Sequence, residues 1–155
     1  MARLPSLHAV ANGLFVGEHP ARAGELDDVL PLLRQEGIGA VVTVCEAPLD
    51  SDALTDAGLR ALHLPVADYD APSPEQLDEG VAFIRQARAD GLGVLVHCFA
   101  GIGRSATVAC AYLVATGFDP ADAIVEVRRK RSPMCVESAA QREALLAFGK
   151  RHGFR

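Results

Sequence analysis

The feature that most limits how this chain can fold is the stretch from Val94 to Val114, where a short apolar run enters a glycine-bearing turn and leaves it as helix-forming sequence. Val94-Leu95-Val96 reads as a buried strand, and Thr107-Val108-Ala109-Cys110-Ala111-Tyr112-Leu113-Val114 as the helix after it. Between them lies His97-Cys98-Phe99-Ala100-Gly101-Ile102-Gly103-Arg104-Ser105. A cysteine, two glycines and an arginine are therefore placed at a helix N-terminus. Backbone N–H groups there lack intrahelical partners and the helix dipole adds partial positive charge, so this is where anions bind.

The spacing has a chemical meaning of its own. Gly101 and Gly103 permit backbone angles that other residues resist, so the N–H groups of Phe99, Ala100, Gly101, Ile102, Gly103 and Arg104 can curl into a nest for the oxygens of a phosphate. Arg104 adds a rigid guanidinium fork that clasps two such oxygens and stays charged at working pH. Cys98, at the bottom of this bowl, is surrounded by groups that stabilise a thiolate, which makes it a nucleophile poised under an anion. Ser105 is positioned to donate its hydroxyl to that thiolate, to start the helix, or both.

His-Cys, five residues, then Arg-Ser is similar to the phosphate-binding loop of the cysteine-dependent protein tyrosine phosphatases, and the wider context resembles their small atypical dual-specificity branch. Sulfurtransferases and arsenate reductases use related loops, so the leading strand, the glycines, the Ser and the helix carry the distinction. The resemblance extends from Gly13 to Phe148 and implies hydrolysis of a phosphomonoester through a phosphocysteine intermediate, with no metal and no organic cofactor.

That chemistry requires an acid to protonate the leaving oxygen. Asp68 follows the Leu59–Pro65 run, expected as a strand beside the Val94 strand, on a loop stiffened by Pro72. The resembling family carries its acid four residues ahead of such a proline, which Asp68 matches, with Asp70 as the competitor. Gln141 matches a glutamine that some members use to orient the attacking water. It also completes a capping box with Ser138, and the two readings stand side by side. His97 is implied to shape the loop rather than to move protons. Cys45 ends a strand expected next to the catalytic one: it is either a buried apolar cysteine or a thiol able to trap oxidised Cys98.

Along the chain, Leu7–Val10 and Leu14–Gly17 flank Asn12-Gly13, a hairpin signal. Leu26, Val29, Leu30 and Leu33 recur at helical spacing, with Pro31 expected to delay or bend that helix. Ala40–Cys45 is a strand covered on both faces. Ser73-Pro74-Glu75-Gln76 opens a helix through Leu77, Val81 and Ile84 to Asp90-Gly91, and Asp119-Pro120 opens another that ends in Arg128-Arg129-Lys130-Arg131, read as a solvated last turn. Ser138–Phe148 forms the last helix. The pattern predicts one α/β domain over residues 1–155: three layers, with a mostly parallel sheet of four or five strands flanked by helices and Cys98 at a strand's carboxyl end.

Composition limits the partners. The formal charge is -5, with basic residues spread rather than massed, which disfavours nucleic acid. No run approaches a membrane span, Met1-Ala2-Arg3-Leu4-Pro5 opens no signal-type stretch, and Cys45, Cys98, Cys110 and Cys135 have no metal-type spacing. With these limits we expect a monomer in the reducing cytoplasm, and the resemblance implies action on a phosphorylated protein or peptide: phosphotyrosine, with phosphoserine or phosphothreonine also able to enter a shallow cleft. The loop interior has no lysine, unlike the inositol-lipid phosphatases of the superfamily it resembles, which disfavours inositol lipids. The alternatives are a phosphatase of non-protein phosphomonoesters, a thiol-based transferase or reductase, and a noncatalytic phosphate-binding module.

Overall fold

The computed structural model describes residues 1–153. Phe154 and Arg155, counted within the expected domain, lie outside the described residues. In chain order the elements are β1 (Leu7–Ala11), β2 (Leu14–Gly17), a 3-10 turn (Pro20–Arg22), α1 (Leu26–Gln35), β3 (Ile38–Thr43), α2 (Ser51–Asp56), β4 (Arg60–His63), α3 (Pro74–Ala89), β5 (Gly93–His97), α4 (Arg104–Ala115), α5 (Pro120–Lys130) and α6 (Ala139–Arg151).

The five strands form one sheet in the order β1-β2-β5-β3-β4, antiparallel at β1–β2 and parallel elsewhere. Alternation along the strands divides the core. Val94 and Val96 of β5 and Ala40 and Val42 of β3 join the cluster beneath α3, α4, α5 and α6, whereas Leu95 and Val41 join Leu30, Leu33 and Leu54 of α1 and α2 on the opposite face. All residues of β3 and β5 are buried. This is the three-layer, mostly parallel α/β fold that the sequence predicts.

Several local expectations change. The Leu59–Pro65 strand is not beside β5: β4 is the edge strand and β3 separates them. Arg60 and Ala61 are exposed, as befits an edge. Helix α1 starts at Leu26 and runs through Pro31. Pro31 removes the N–H that would bond to Asp27, but Asp27 is exposed, so water can take up that carbonyl. The capping boxes at Ser73/Gln76 and Ser138/Gln141 both form. The basic run at the end of α5 is solvated only in part, because Arg128 and Arg131 turn inward.

The parallel register sets the site. Gly17, Thr43 and His63 lie level with or one strand from His97 at the carboxyl ends of β2, β3, β4 and β5. The loops that leave these ends therefore meet above Cys98.

Candidate active site

Cys98 follows β5 and is 3% exposed. Burial pushes its thiol pKa up. The Ser105 hydroxyl, 3.2 Å from Sγ, and the backbone N–H groups of Ser105, Ile102 and Gly101 outweigh that, so the net value is below that of an ordinary thiol. The loop is curled as the glycines suggest, but they do different work. Gly101 has φ +75°, and a Cβ there would collide with the carbonyl of Gly17 at the end of β2. Gly103 has φ -99°, so its need is for space: a Cβ would collide with Glu137 Oε1.

The outside of the loop is held by Arg131. Its Nε and Nη2 each donate over 3.1 Å, to Gly101 O and Ala100 O, and its Nη1 donates to Ser6 Oγ at 2.9 Å. His97 is fully buried beneath the loop, and burial depresses its pKa to about 3. A neutral ring with Nδ1 3.0 Å from the Cys98 carbonyl must donate there, leaving Nε2 to accept from the Thr43 hydroxyl at 2.8 Å. His97 thus fixes the tilt of the Cys98 peptide.

Arg104 opens α4 and is buried. Nη1 donates to Glu46 Oε1 at 2.7 Å and to Val66 O at 2.9 Å, and Nη2 lies 3.6 Å from Asp68 Oδ1. Nε has no hydrogen-bond partner among the described residues. The guanidinium is therefore anchored on one edge and keeps donors on the other.

Asp68 reaches this point because the chain after β4 crosses the end of β3, so adjacency to β5 was unnecessary. Its Oδ1 also accepts from Tyr69 N at 3.0 Å, and Tyr69 has φ +66°. Asp70 offers the site its backbone: Gln141 Nε2 donates to Asp70 O at 3.1 Å, while Gln141 Oε1 accepts from Glu137 N at 2.9 Å and Ser138 N at 3.2 Å. Gln141 is fully buried, tying the Asp68 loop to the start of α6.

A cavity of about 170 Å³ opens over Cys98 and Arg104, walled by Asp68, Tyr69, Phe99 and Glu137. Tyr69 and Phe99 are largely exposed, and Arg22 stacks 4.5 Å above the Phe99 ring. Cys45 is a buried free thiol whose pKa burial raises. Sequence reasoning missed Glu46, Thr43, Arg131 and Glu137. Glu46 had a readable signal, since it directly follows the Ala40–Cys45 run expected next to the catalytic strand. Among the described residues, no group of three His, Cys, Asp or Glu is placed to hold a metal ion.

A reactive thiol in an N–H nest at a helix start, on the carboxyl edge of a parallel sheet, defines a cysteine-based phosphate-handling fold. The chain belongs to the family described as polymorphic toxin system, DSP-PTPase phosphatase, which matches residues 16–118. It is 40% identical over 108 residues to dual specificity protein phosphatase 12 of Rattus norvegicus, covering 69% of this chain and 30% of the relative. The chain thus spans under a third of that relative's length. Among solved structures it is similar to Tk-PTP in the active form, with TM-score 0.84, 36% identity, and 96% of this chain and 99% of that one covered. It is also similar to PTPMT1 in complex with PI(5)P, with TM-score 0.83, 28% identity, and 94% and 96% covered.

Proposed function

We propose that this chain hydrolyses phosphomonoesters through a phosphocysteine intermediate, acting on phosphotyrosine in proteins or peptides and accepting phosphoserine or phosphothreonine. The observation that carries this reading is the Cys98 thiol, held below its ordinary pKa under a loop whose other wall is the anchored Arg104. Phosphate oxygens take the loop N–H groups and the Nε and Nη2 donors of Arg104. The Cys98 thiolate attacks phosphorus in line, and Asp68 protonates the leaving oxygen. Water then displaces Cys98 with Asp68 as base, and the Ser105 hydroxyl stabilises the departing thiolate. His97 shapes the loop, and Gln141 positions the Asp68 loop rather than the water, since both ends of its amide are already bonded to backbone.

Size and charge favour a single exposed phosphoester. Of the residues that line the cavity of about 170 Å³, Arg104 is the one basic side chain, so the extra phosphates of a polyphosphorylated headgroup meet no further cation there. Exposed Tyr69 and Phe99 flank the opening and offer faces to an aryl ester. The PTPMT1 likeness makes a lipid headgroup the comparison to run. The same reading takes the chain as one domain and a monomer working in the reducing cytoplasm, a setting in which its four free cysteines stay reduced. No helix among the described residues is long and apolar enough to cross a membrane.

The test is hydrolysis of p-nitrophenyl phosphate, of phosphotyrosine and phosphoserine peptides, and of PI(5)P by the wild type, Cys98→Ser and Asp68→Asn. Peptide turnover abolished in Cys98→Ser is the expected result. Full activity in that variant rejects the covalent mechanism, and faster hydrolysis of PI(5)P than of any peptide rejects the protein substrate.

A further inference from the structure

The mouth of the cup contains a second carboxyl that the mechanism above leaves idle. Glu137 lines the same cavity as Cys98, Arg104 and Asp68. Its placement is built rather than incidental. Val136 N donates to Ile102 O at 2.9 Å, Arg128 Nε donates to Cys135 O at 2.9 Å, and Glu137 N donates to Gln141 Oε1 at 2.9 Å. Val136 itself holds φ +59°, an unusual angle for a β-branched residue, in order to make this approach. The carboxyl then lies against Gly103, where a side chain would displace it.

The two carboxyls of the mouth have unlike surroundings. Asp68 accepts from Tyr69 N at 3.0 Å and faces Arg104 at 3.6 Å. The Glu137 carboxylate has no hydrogen bond or ion pair among the described residues. The charged groups that act on it are Asp68 and Arg104, and partial burial together with the Asp68 charge raises its pKa against the weaker opposing effect of Arg104. A carboxyl raised in this way, in the same cavity as Cys98 and Arg104, is suited to hold a proton for acid work.

We propose that Glu137 is a second general acid of the cup, able with Asp68 to give the leaving oxygen its proton. This rests on the phosphocysteine reading. The Cys98 thiolate pair forms the S–P bond, the P–O ester bond breaks with its pair on oxygen, and the proton of the Glu137 carboxylic acid passes to that oxygen. The carboxylate regains a proton from the water that later attacks phosphorus, as the P–S bond breaks and its pair returns to sulfur.

The experiment compares p-nitrophenyl phosphate with phenyl phosphate, a good and a poor leaving group, for the wild type, Glu137→Gln, Asp68→Asn and the double variant. Glutamine keeps the shape against Gly103, and a melting curve on each variant checks the fold. The expected loss in Glu137→Gln is larger for phenyl phosphate, and the alkaline limb of its kcat profile moves because the Glu137 carboxyl no longer contributes to it. The double variant loses roughly a hundred- to ten-thousand-fold on the poor leaving group, beyond either single change. Equal losses on both esters in Glu137→Gln, or a double variant no slower than Asp68→Asn, overturns the proposal. Turnover retained in Cys98→Ser removes the covalent reading instead, and the proposal with it.

Discussion

Ser105 is the side chain on which the Cys98 thiolate leans most directly, at 3.2 Å in a buried site. Removing its hydroxyl leaves burial less opposed, so Ser105→Ala raises the Cys98 pKa. A hydrogen bond to a charged group is worth about 1.5–3 kcal/mol, or roughly one to two pH units. The thiolate then forms only at higher pH, and the acidic limb of both kcat/KM and the rate of alkylation by iodoacetamide should shift upward by that amount; an unshifted limb counts against the contact. Residues 97–105 were legible in the sequence because their meaning is contiguous: nucleophile, nest and arginine lie within one turn. Glu137 was not, since it is an ordinary exposed carboxylate until the fold brings it to Gly103.

At the scale of elements, the loop after β5 is clamped between the end of β2, where Gly101 abuts Gly17, and the end of α5, where Arg131 holds Ala100 and Gly101. Arg131→Ala should lower the melting temperature and raise KM together, because the same carbonyls that lose their donor belong to the phosphate nest. Arg131→Lys should rescue little, since one ammonium cannot reproduce a planar fork across two carbonyls; full rescue in both readouts would show that charge alone matters. The basic run hid this role, because a string of arginines at a helix end has an adequate explanation in the dipole. Strand order was hidden for another reason. Apolar runs identify strands, but the edge position of β4 is written only in Arg60 and His63, two polar residues in a four-residue strand.

For the whole molecule, the buried neutral His97 links folding to pH. Its folded pKa of about 3 lies below the ordinary 6.5, so the unfolded chain binds the extra proton between those values. The stabilisation from a neutral ring is complete above pH 6.5 and lost as the pH falls toward 3, at up to about 1.4 kcal/mol per unit. Urea titrations across that range should show the decline, and His97→Asn should flatten it. The Arg131 clamp also has a temporal side. Arg131 joins the nest to Ser6, 125 positions earlier in the chain. A ribosome that has released only as far as α4 has already made Cys98 and Arg104, but not the residues that keep the loop curled around them. A nascent chain halted there should alkylate no faster than an ordinary peptide thiol, and a stalled or clipped product would carry no activated nucleophile into the cell.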